Sequence, residues 1–73
     1  MDMFMIFDQS GPSNDLLGSF PSEGEAKHFA YAQSRGYDYC QGLKVPSGTP
    51  VELLDPDCDD AELEEYGITR FQI

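Results

Sequence analysis

An α+β domain, with four strands and two helices in the order β-α-β-β-α-β, is the fold class this sequence predicts. Three observations carry it. Met3 to Phe7 has apolar residues on both sides of its alternation, the pattern of a central strand. Ser22 with Glu25, and Asp59 with Glu62, have the spacing of capping boxes that start helices. Between them, residues 37–54 read as two strands about a Pro-Gly turn. The chain has 73 residues, 40% hydrophobic and 12% aromatic, which fits one domain over 1–73 with a thin core. A disordered acidic tail would be poorer in both classes.

Each element has its own signal. Residues 3–8 form the first strand. Residues 9–20 read as a long connection through Ser10-Gly11-Pro12-Ser13-Asn14-Asp15, with Leu16, Leu17 and Phe20 tucked against the body. The first helix runs from about Glu23 to Arg35, after Pro21 and the cap at Ser22, with Gly36 placed to end it. From Tyr37 to Val45 the chain alternates, putting Tyr37, Tyr39, Gln41, Leu43 and Val45 on one strand face. Pro46-Ser47-Gly48-Thr49 turns the chain, and Pro50 to Leu54 completes a hairpin. Asp55-Pro56-Asp57 breaks that strand. A short helix follows Asp59, with Leu63 and Tyr66 as its apolar stripe and Gly67 as its end. Ile68 to Ile73 is the last strand, at a sheet edge. This is the ferredoxin-like order, in which both helices cover one face of a four-stranded antiparallel sheet and the first and third strands are central. A β-α-β-β-β chain with an acidic loop in place of the short second helix is the alternative.

The charge excludes more than it includes. Fourteen Asp and Glu stand against four Lys and Arg, a formal net charge of −10. Direct binding of DNA, RNA or anionic lipid is not expected, because phosphate would be repelled. The apolar start, Met1 to Asp8, is too short for a signal core or a membrane span, so a cytoplasmic location is expected. Cys40 and Cys58 are then thiols, a disulfide between them being the lesser alternative. Two isolated Cys and one His have no zinc-ligand spacing, so no metal or other cofactor is expected. A thiol paired with His28 is disfavoured, since apolar neighbours of Cys40 and acidic neighbours of Cys58 raise thiol pKa values. No nucleophile, phosphate-loop or zinc-protease pattern occurs, and enzymatic activity is not expected.

The acids are concentrated. Glu52, Asp55, Asp57, Asp59, Asp60, Glu62, Glu64 and Glu65 put eight carboxylates in 14 residues with no Lys or Arg among them. Three readings fit. Asp55, Asp57 and Asp59 match the first alternate oxygens of a calcium loop, but Asp60 stands where Gly belongs and Tyr66 where the bidentate Glu belongs. A solvated face that keeps the protein soluble is the plain reading. The third is a face that docks in a basic groove. Eight carboxylates over a strand end, a turn and a short helix span roughly 20–25 Å. Eight phosphates of one DNA strand span roughly 27 Å, so a groove built for phosphate could accept this surface. Tyr37 and Tyr39 would flank the patch as aromatic anchors. Otherwise the tyrosines cap the core edge. Lys27, Arg35, Lys44 and Arg70 are spaced singly and read as partners in weak local ion pairs.

In small size, strong acidity, the Glu52–Glu65 cluster and its α+β order, the chain resembles the phage-encoded inhibitors of host defence, the anti-CRISPR proteins and other DNA mimics. Those families share no motif, so no residue role transfers. The resemblance implies a cytoplasmic inhibitor, monomer or homodimer. It would bind a basic nucleic-acid-binding protein or complex, such as a CRISPR effector subunit, where target DNA enters. The alternative function is a small acidic adaptor or regulatory module that binds through its sheet and aromatics.

Overall fold

Alternation and capping produce most of the expected elements, in a different order. The structure is a computed structural model that describes residues 1–9, 15–33, 39–50 and 54–73. In chain order these hold β1 (Asp2–Asp8), β2 (Asp15–Phe20), α1 (Glu23–Tyr31), β3 (Cys40–Pro46), α2 (Asp60–Glu65) and β4 (Thr69–Phe71). The strands form one antiparallel sheet in the order β2-β1-β3-β4. An α+β fold with a four-stranded antiparallel sheet is therefore present. The described elements follow β-β-α-β-α-β, which departs from the ferredoxin-like order.

The first departure is β2, which replaces most of the expected connection over 9–20. It pairs with β1, Phe4 opposite Phe20 and Ile6 opposite Gly18. Beyond Ile6 the register shifts, and Phe7 faces Leu16. Leu17 is thus the extra residue of a bulge, and one extra residue breaks the period of two by which a strand is read. Gly18 and Ser19 further disguise the strand as loop.

The second departure is the placement of the helices. Residues opposite one another in register share a face, so Met5, Phe7, Leu43 and Val45 point one way, and Phe4, Ile6 and Gly42 the other. The first group joins Leu63 of α2 and Ile68 in one apolar cluster. Ile6 joins Ala26 and Ala30 of α1, with Cys40, in a second. The helices therefore lie on opposite faces, not on one. A central strand that is apolar on both sides needs cover on both sides. β1 is central as expected, and β4 is an edge strand as expected.

Small residues let α1 approach. Ile6 is fully buried, flanked in register by Gly18 and Gly42 beneath Ala26 and Ala30. Phe71 lies opposite Gly42, and its ring occupies the space a β-carbon there would need, with ring carbons 2.5–2.8 Å from that position. Phe4 meets the same ring edge-on at 5.7 Å between centroids.

The helix ends follow their sequences. Ser22 caps α1, its hydroxyl accepting from the Glu25 N–H at 3.2 Å. α1 stops at Tyr31, short of the expected Arg35, and the Gln33 amide donates to the Phe29 carbonyl at 3.1 Å. Arg35 and Gly36 lie outside the described residues. The second helix is formed: Asp59 caps α2, and Gly67, at φ 75°, closes it. The Ile68 N–H donates to the Leu63 carbonyl at 2.9 Å and the Gly67 N–H to that of Glu64 at 3.0 Å. This paired bonding satisfies the end carbonyls and brings Ile68 onto Leu63. Of the expected strand over 50–54, residues 51–53 lie outside the described residues, and Pro50 and Leu54 are not in a strand.

Candidate protein-binding surface

The acidic segment is assembled by short-range bonds that leave its carboxylates outward. Asp55 accepts at Oδ1 from the Asp57 N–H at 2.9 Å, and the Cys58 N–H donates to the Asp55 carbonyl at 3.1 Å. This turn, of the kind Asp favours, folds over a buried Pro56. Asp59 accepts at Oδ1 from the Glu62 N–H at 2.9 Å. α2 then directs Leu63 into the core. Asp55, Asp57, Asp59, Asp60, Glu62, Glu64 and Glu65 are all exposed. Glu52 lies outside the described residues.

One base reaches this segment from another element. Arg70 of β4 is only 28% exposed and donates from Nε to Asp60 Oδ1 at 3.1 Å. Its Nη1 donates to Gln41 Oε1 at 2.8 Å, and its Nη2 to the carbonyls of Pro56 at 2.9 Å and Cys58 at 2.8 Å. It is more than a loose surface pair. Lys44 and Lys27 do fit that description, bound to Asp2 at 3.5 Å and Glu23 at 3.1 Å. Lys44 lies opposite Phe4, and Lys27 is on α1, so neither shares the α2 face.

Tyr39 stands just before β3, not within it, and is 52% exposed. Its carbonyl accepts from the Gln9 N–H at 2.8 Å, and the Gln9 side-chain amide donates to Asp57 Oδ1 at 2.7 Å. Gln9 thereby ties the Tyr39 backbone to the acidic turn. Tyr37 lies outside the described residues. Tyr66, at the end of α2, is 53% exposed and joins the same surface. Gln9 and Arg70 carried no sequence signal for these roles, since their partners are 48 and 10–29 residues away.

The calcium reading is not supported by this geometry. Asp55 and Asp59 each bind a backbone N–H, and among the described residues no three His, Cys, Asp or Glu side chains converge as a cation site. Cys40 and Cys58 are both free and belong to clusters on opposite faces of the sheet, which corrects the alternative of a disulfide between them. Hydrogen bonding to the Glu62 carboxylate, then burial and the nearby Asp55, pushes the Cys58 thiol up to about 11. Burial, with Asp8 beside it, also raises Cys40. Neither is an activated nucleophile. No described helix is long and apolar enough to cross a membrane.

No protein-family model, curated protein or solved structure matches the chain.

Proposed function

We propose that this chain is an acidic protein-binding inhibitor whose turn and second helix occupy the nucleic-acid groove of a basic target. The observation that carries the reading is the sorting of charge on the α2 face. All seven described carboxylates of the segment are exposed, while Arg70 is drawn inward beneath them. A face meant only for solubility has no need to withhold its base. A groove lined with Lys and Arg would meet carboxylates at a density comparable to phosphates, and the opposed fields would speed association. An anti-CRISPR or other DNA mimic acting in the cytoplasm on a CRISPR effector is the specific form of this reading.

The test is capture of a target from bacterial lysate, eluted by salt and competed by DNA. Recovery of a nucleic-acid-binding complex that DNA displaces supports the proposal; a target that DNA leaves in place rejects groove mimicry. Charge reversal at Glu64 and Glu65, which cap nothing and face solvent, should abolish capture with the fold intact. Asp59 is better tested as Asp59→Asn, because Asn keeps the cap and removes the charge.

The adaptor reading has one specific observation behind it. Phe20 and Phe29, with ring centroids 5.0 Å apart, line an open, mostly apolar groove beside β2, with Gly24, His28 and Ala32. Under that reading Phe29→Ala or Tyr39→Ala weakens binding and the charge reversals leave it unchanged.

A further inference from the structure

Arg70 places four donor bonds on three different stretches of chain: Gln41 of β3, the carbonyls of Pro56 and Cys58 in the acidic turn, and Asp60 at the first position of α2. Three of its four acceptors are neutral amide oxygens, which a simple ion pair would not seek. A planar guanidinium presents its donors in a fixed fork, whereas an ammonium is a compact point charge that cannot reproduce it. We propose that Arg70 is the positioning residue of the acidic face. Its fork pins residues 56–60 to the sheet, so the carboxylates are presented as a preformed pattern and not as a mobile acidic loop. The proposal rests on the reading of that face as a binding surface and deepens it. A partner groove then meets carboxylates at set spacings, with the ordering entropy of the turn already spent in folding.

The fold carries its own reporters. Cys58 lies inside the pinned segment, its thiol held by Glu62 and Asp55, while Cys40 is buried in the cluster on the opposite face. Local release of the segment uncovers Cys58 alone; general loosening uncovers both. The experiment is alkylation of the native protein by iodoacetamide at pH 8, read residue by residue by mass spectrometry. It compares the parent with Arg70→Lys and Arg70→Gln. Arg70→Lys keeps the charge and loses the fork, so it separates geometry from electrostatics. The expected result is Cys58 alkylation roughly tenfold faster in both variants, with Cys40 as protected as in the parent. Cys58 reacting at the parent rate in Arg70→Lys would overturn the proposal. So would Cys40 accelerating in step with Cys58, which would make Arg70 a general stabiliser. No target is needed, so failure here removes the role of Arg70 alone, whereas failure of salt-sensitive capture removes the acidic-face reading alone.

Discussion

Gly42 shows how much a single hydrogen can decide. The Phe71 ring lies over it, on the edge strand next to it, where a methyl group would sit. Gly42→Ala forces that ring aside and loosens its edge contact with Phe4. Overpacking of this kind destabilises by about 1–3 kcal/mol, which urea unfolding would register. Cys58 gives a prediction in pH. Its thiol pKa is raised in the folded state, to about 11, so folding binds that proton more tightly. The stability this confers is whole below the ordinary thiol range and is lost as pH rises toward 11. Thermal midpoints should therefore fall over that interval, less steeply in Cys58→Ser. The raised Cys58 thiol was legible from its acidic neighbours, but its bond to Glu62 depends on the placement of α2, and the Gly42–Phe71 contact depends on register.

At the scale of elements, capping was legible, and so were β1, β3 and β4 as strands, whereas the membership of β2 was not. Ser22 and Asp59 announced their helices because a cap is a local bond between residues three apart. Asp59→Ala should destabilise by about 1 kcal/mol and Asp59→Asn by only a few tenths, measured by chemical denaturation. β2 went unread because its bulge at Leu17 hides the alternation. The two-sided apolar pattern of β1 correctly indicated a central strand. Its fuller meaning, a helix on each face, required knowing that α1 and α2 do not share a side. Tyr39 was expected inside a strand and stands one residue before it, because β3 begins at Cys40.

For the molecule as a whole, the net charge of −10 makes two opposite predictions about salt. Self-repulsion is screened as ionic strength rises, so the melting temperature should increase between about 10 and 150 mM salt. Attraction to a basic partner is screened by the same ions, so affinity should fall over the same range. A protein that grows more stable as it binds less well would carry the signature of an acidic docking face. If binding proves indifferent to salt, the interaction runs through apolar contacts such as the Phe20–Phe29 groove. The position of the charge along the chain was legible from the start. Its exposure was an expectation that the structure met at seven positions, and the inward turn of Arg70 was not visible at all.

The edge strand β4 has a consequence for self-association. It is three residues long, and Asp60 and Glu64 stand beside Thr69 and Arg70 along it. A second copy adding its own β4 there would bring two sets of carboxylates together at strand-to-strand distance. Unpaired edges template aggregation, and inward or flanking charge is one of the ways that proteins prevent it. Growth of the sheet through β4 is therefore expected to be disfavoured by like charge.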